Sequence, residues 1–268
     1  MKKQILLFGF LIISITALSQ ASLPDFEAQA VKLYSHILPA ATDEENKAVH
    51  DSIADLLNKA FQVPGAFEYP FSSLKFMGKI TSEDKKVRVI TWNWVRNDAT
   101  NLYYGFVIHR NQSGKTDVFR LTDKNESIGN PAAQSLDAGN WPGCLVYEIV
   151  QGKGDNQYLL LGYDPRNIFI SRKVIDVLWF QNEIPFFGKP VFHVNGQSVN
   201  RMIFEYSAKV RMSLIWNKKM NMIVFDHLAP SSPSFQGNYQ YYGPDLSFDG
   251  LIFDKGFWEL RQNVDVRN

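Results

Sequence analysis

Near residue 74 the spacing of apolar residues changes from three-or-four to two, and it stays at two almost to the end of the chain. A period of two sends successive side chains to opposite faces of a strand. In residues 86–96 (KVRVITWNWVR), Ile90, Trp92 and Trp94 take one face and Val89, Thr91 and Asn93 take the other. Residues 102–110 and 116–122 follow, joined by the turn Asn111-Gln112-Ser113-Gly114. Further strands read at 145–150, 158–163, 168–180, 201–206, 210–216, 222–227, 251–253 and 257–260. Short strands at this spacing, with tight turns and no helices between them, exclude a βαβ fold. The expectation is mainly β (α+β): an antiparallel meander of about ten strands, as a sandwich, a curled sheet or an open barrel.

Upstream the pattern is helical. Residues 24–38 repeat Phe26, Ala30, Leu33 and Ile37 at three and four, and Pro39 stops them. Thr42 with Glu45 makes a capping box, and Val49, Ile53, Leu56, Leu57 and Ala60 form one apolar stripe up to Pro64-Gly65. Neither helix is stable alone. The pair is expected to pack on the strands or to present a groove to a partner. The organisation read is an export segment at 1–21, a helical pair at 22–64 and an antiparallel β region at 65–268.

Lys2 and Lys3 precede an apolar run, residues 5–18, that falls short of the roughly 20 residues a membrane helix needs. Small residues follow at signal-peptidase spacing, with a cut before Gln20 or before Ser22. Losing the two lysines takes the formal charge from +1 to −1. A near-neutral body carries no footprint for nucleic acid, and no later run is apolar enough to span a membrane. The expected address is the periplasm or cell envelope, with secretion as the alternative. The single cysteine, Cys144, excludes an intramolecular disulfide, and its setting at a strand start reads as a small buried residue.

Chemistry concentrates in residues 239–258, YQYYGPDLSFDGLIFDKGFW. Asp245, Ser247 and Asp249, followed by Gly250, place oxygens at positions one, three and five of a calcium loop. The twelfth position is Gly256, so the bidentate acid is missing, and an Asx turn competes with a structural calcium site. Asp123, Asn125 and Ser127 repeat the spacing with Gly129 one place late. Asp226-His227 is the candidate acid–base pair, but adjacent strand residues face opposite ways unless a bulge intervenes. Asp176 and Glu205 sit inside apolar strands and need partners, for which Arg172, Arg201 and Arg211 are available. No zinc pattern, nucleophile elbow or phosphate loop is present. Aromatics reach 14% and come in pairs, so Trp92, Trp94, Tyr241 and Tyr242 are candidate ligand-stacking residues if one row faces outward. The competing expectation covers both faces with the helices or a second sheet.

The runs RKVIDVL at 172–178, FDHLAP at 225–230 and YGPD at 242–245 resemble exported β-rich proteins of Bacteroidetes-type bacteria. The resemblance implies an envelope address and no activity. Two functions are carried forward. One is a non-enzymatic binding or assembly module whose partner is an envelope protein or a glycan. The other is a glycan or peptide hydrolase using carboxylates among Asp226, Asp245 and Asp249. Carboxylates converging in a cleft favour the second, and carboxylates turned onto backbone N–H groups favour the first.

Overall fold

The computed structural model of the chain describes residues 21–38, 41–154, 156–194 and 196–266. Residues 1–20 of the export segment, the helix stop Pro39 and the hairpin residue Asp155 lie outside the described residues.

Two capped helices open the described chain. α1 (Leu23–Tyr34) starts at Ser22, whose hydroxyl accepts from Asp25 N while the Asp25 carboxylate accepts from Ser22 N. α2 (Asp43–Ala60) repeats the device with Thr42 and Glu45, as its sequence spacing requires. Three acids in the first turn of α2 favour its dipole. The stripe Ile53, Ala54, Leu57 and Ala60 is buried, together with Ala30 of α1.

Four strands form the sheet beneath the helices: β1 (Gly78–Thr81), β2 (Val87–Val95), β3 (Asn101–Arg110) and β4 (Thr116–Thr122), antiparallel and in that order. The second sheet contains β5 (Leu136–Asp137), β6 (Leu145–Gln151), β7 (Gln157–Asp164), β8 (Ile170–Gln181) and β9 (Ile184–Phe187) in the order β5-β9-β8-β7-β6. The third contains β10 (Phe192–Val194), β11 (Gln197–Val199), β13 (Leu214–Asn217), β14 (Met222–Pro230), β15 (Tyr242–Asp254) and β16 (Phe257–Arg261), ordered β11-β10-β16-β15-β14-β13. Between them in sequence, β12 (Met202–Ser207) pairs with the first half of β8 in the second sheet. Sixteen strands are thus described, more than the ten or eleven expected. The additions are mostly short strands, such as β5, β10 and β11, which hold too few residues for a period to show. One strand pair is parallel, β10 with β16, so the third sheet is mixed.

The period of two explains the stacking. Ile90, Trp92 and Trp94 of β2, with Tyr104, Phe106 and Ile108 of β3, pack under the helices. Val87, Val89, Tyr103 and Val107 face the other way, against Val146, Tyr158, Leu160 and Leu178 of the second sheet. Leu159, Leu161, Ile175 and Val177 then leave the far side of the second sheet to meet Ile223, Phe225, Leu251 and Trp258 of the third. The helices and three sheets stack with three apolar interfaces, and among the described residues no sheet closes into a barrel. The competing expectation of two covered faces therefore holds for β2 and β3. Trp92 is 0% exposed and Trp94 6%, so neither ring is open to stack on a ligand.

Candidate functional site

The one long irregularity in the third sheet falls on the residues that the sequence singled out. Between β14 and β15 the register runs Asp226↔Phe248 and resumes at Leu228↔Pro244. One residue, His227, therefore opposes three, Asp245 to Ser247. The bulge forces Leu246 to a φ of 73° and leaves it 92% exposed. A leucine with positive φ is uncommon and marks backbone held by its surroundings.

Those surroundings are two acids. Asp245 Oδ1 accepts from Ser247 N at 3.0 Å and from Ser247 Oγ at 2.7 Å, the Asx-turn arrangement. These bonds hold its carboxyl below the usual carboxylate range. Asp249, 6% exposed, accepts from His227 Nδ1 at 2.7 Å and from Asn263 N at 3.1 Å. The hydrogen bond to Asp249 raises the His227 pKa, against a smaller opposing effect of burial, and the charges of Asp249 and Asp245 add to it. Asp226 turns elsewhere: its Oδ2 accepts from Ser213 N at 2.7 Å and its N–H donates to Ser213 O.

The adjacent pair Asp226-His227 is thus no dyad, because the bulge pairs His227 with Asp249 across the sheet instead. A histidine fixed at Nδ1 by a carboxylate keeps Nε2 for proton transfer. No hydroxyl or thiol bonds that atom among the described residues, and the nearby Ser247 hydroxyl is spent on Asp245. The recess beside the bulge, about 370 Å³, is lined by Leu246 to Phe248 and Asn263 to Val266, and neither His227 nor Asp249 is among these residues. Asp245 and Ser247 bond each other, while Asp249 turns to His227 and to Asn263 N. Among the described residues no group of three or more His, Cys, Asp or Glu is arranged to hold a metal.

The aromatic candidates divide. Tyr242 is buried and its hydroxyl accepts from Gly237 N at 2.9 Å. Tyr241 stays 41% exposed, stacked on Phe235 at 4.0 Å between centroids. Of the four stacking candidates, only Tyr241 offers a ring face.

A second cluster is internal, between the first two sheets and under residues 123–143. Asp176 lies 3.1 Å from Arg201 Nε, and Glu205 meets Arg172 at 2.5 Å, so both strand acids have the arginine partners the sequence offered. The long connection covers Arg201: Nη1 donates to Pro131 O and Gln134 O, and Asn200 N to Ala132 O. Tyr103 Oη donates to Asp164 at 2.5 Å, and Asp123 accepts from Tyr103 N and Asn125 N. Burial pushes the Asp176, Asp164 and Asp123 carboxyls and the Cys144 thiol upward. Two glycines make the packing feasible. A Cβ on Gly162 would stand 2.6 Å from Cys144 Sγ, and one on Gly143, at φ 66°, would stand 2.6 Å from the Tyr103 ring. The space enclosed is about 20 Å³, room for about one water and for no substrate. No local sequence pattern pairs Asp164 with Tyr103. Asp164 opens a turn-like Asp-Pro-Arg-Asn run, and its partner is 61 residues away.

No protein-family profile, curated protein or solved structure matches the chain.

Proposed function

We propose that this is an exported, non-enzymatic binding or assembly module of a bacterial envelope, with a protein or glycan partner. The observation that carries the reading is the commitment of the candidate carboxylates. Asp226, Asp245 and Asp249 each accept a backbone N–H, from Ser213, Ser247 and Asn263. Hydrolysis of a glycosidic bond needs two carboxylates on opposite sides of a substrate, roughly 5–10 Å apart across a cleft. Carboxylates bonded to backbone set strand register instead. Export is supported by Lys2, Lys3 and the apolar run after them.

The test incubates the chain beginning at Ser22 with peptidoglycan fragments, other envelope glycans and peptides, and follows both turnover and thermal shift. The capping box at Ser22 and all three apolar clusters lie within that chain. Binding without turnover is the expected result. Turnover that disappears in Asp249→Asn, with the unfolding midpoint unchanged, defeats the proposal.

A further inference from the structure

The end of the molecule where β8 begins and β12 finishes carries apolar side chains that the core does not use. Ile168 is 63% exposed, Phe169 57% and Val210 40%. They belong to one surface. Ala208 N donates to Phe169 O at 2.9 Å, and Ser207 pairs with Ile170 across the strands. Val210 N donates to Ser207 O, and the Val210 methyls face Gly243, where a Cβ would stand 3.5 Å from Val210 Cγ2. The single turn at Tyr239–Tyr241, which packs on β12, adds the exposed Tyr239 and Tyr241 rings beside them.

Cations flank these tips. Lys209 and Arg211 bracket Val210, both exposed, and neither is in an ion pair among the described residues. Glu205 pairs with Arg172, while Asp226 and Asp245 accept the backbone N–H groups of Ser213 and Ser247 and form no ion pair with Lys209 or Arg211. Asp164 is buried against Tyr103. Two apolar loop tips beside unpaired cations, with tyrosines nearby, match the chemistry of an anionic bilayer surface. Apolar side chains enter the acyl boundary, cations meet phosphate headgroups, and aromatic rings sit at the interface.

We infer that this chain docks reversibly on an anionic lipid surface through Ile168, Phe169 and Val210, with Lys209 and Arg211 at the headgroups. The inference rests on the binding-module reading for its compartment, an envelope membrane, and on its own residues for the contact. A protein partner would be expected to match the tips with acids and a shaped apolar pocket. A bilayer needs only apolar tips and unpaired positive charge, and these are what the surface supplies.

The experiment is sedimentation of the chain beginning at Ser22 with phosphatidylcholine vesicles, with and without phosphatidylglycerol. Binding is expected only with the anionic lipid and should weaken as salt is raised. Lys209→Ala and Arg211→Ala should each cost about fivefold in partition, the effect of one cation near such a surface. Ile168→Ser with Phe169→Ser should cost more than tenfold. Both side chains are exposed, so the unfolding midpoint should stay near that of the unaltered chain. Phe169→Trp should be quenched by brominated lipid. Equal binding to neutral vesicles, or no loss on removing the tips, overturns the inference. So does concentration-dependent self-association that the double serine change abolishes while vesicles are ignored. That result assigns the surface to a second copy. A chain that ignores vesicles yet shows no turnover overturns this inference alone. Turnover defeats the function proposed above, whatever the vesicles do.

Discussion

His50 on α2 offers a sharp test of how the helices are held. It is 2% exposed, and Trp92 Nε1 donates to its Nδ1 at 3.2 Å. That bond requires an unprotonated Nδ1, so His50 is neutral with its proton on Nε2. The Tyr104 ring stacks on it at 5.4 Å and the Trp94 ring at 6.1 Å. Burial lowers its pKa from 6.5 to about 4, against a smaller opposing effect of Asp51. The folded state therefore binds fewer protons than the unfolded state between these values. The contribution is full above pH 6.5 and declines as pH falls toward 4. At about 1.36 kcal/mol per unit, this site alone should cost about 3 kcal/mol between pH 7 and pH 4. In thermal terms that is roughly 6–12 °C for a chain of this size. Other carboxylates titrate in the same range, so the measurement is a comparison. Unfolding midpoints of the unaltered chain and of His50→Gln are taken at pH 7, 5.5 and 4. Gln retains an acceptor for Trp92 and does not titrate. The variant should be less stable at pH 7, and its midpoint should fall less steeply with acid. Parallel pH profiles would refute the assignment of His50 as a buried neutral group between helix and sheet.

Three further outcomes follow from the polar clusters. Asp176→Asn should cost about 3–5 kcal/mol by leaving Arg201 buried without its charge partner, and Asp176→Leu with Arg201→Met should cost less than the separate changes combined, read by urea unfolding. Gly162→Ala should cost about 1–3 kcal/mol through the approach to Cys144 Sγ, and Cys144→Ala should relieve part of it in the double variant. Asp249→Asn should move the His227 titration, followed by NMR, down toward the ordinary histidine value. Because the folded pKa of His227 is raised, its stabilising contribution is present at low pH and is lost as pH rises through the folded pKa.

Local chemistry was legible in the sequence where a contact is local or periodic. Thr42 and Glu45 lie three apart and cap α2 as their spacing requires. Trp92 and Val89 sit on opposite faces of β2, as alternation dictates, and apolar character on both faces implied two coverings. Remote partners and short elements leave no such signal. β10 and β16 pair in parallel although 62 or more residues separate them, and three residues of β10 show no period. The run Gly243 to Gly250 looked like turn chemistry because it holds Gly, Pro, Asp and Ser. It lies within β15, whose bulge absorbs the extra residues opposite His227. Asp226-His227 was legible as a polar step at a strand end. The partner of His227 depends on a register shift that residue types do not encode.

On the function proposed above, the acids at the bulge hold structure and do not perform chemistry. The unfolding midpoint of Asp249→Asn tests this most directly. Asp249 is buried and bonded to His227 and to Asn263 N, so its loss should cost about 1.5–3 kcal/mol and lower the midpoint by several degrees. Carboxylates kept for catalysis are commonly retained at the expense of stability, and replacing one leaves the midpoint unchanged or raises it. A fall in the midpoint is the predicted result. An unchanged or raised midpoint would contradict the structural role and favour Asp249 and His227 as an acid–base pair.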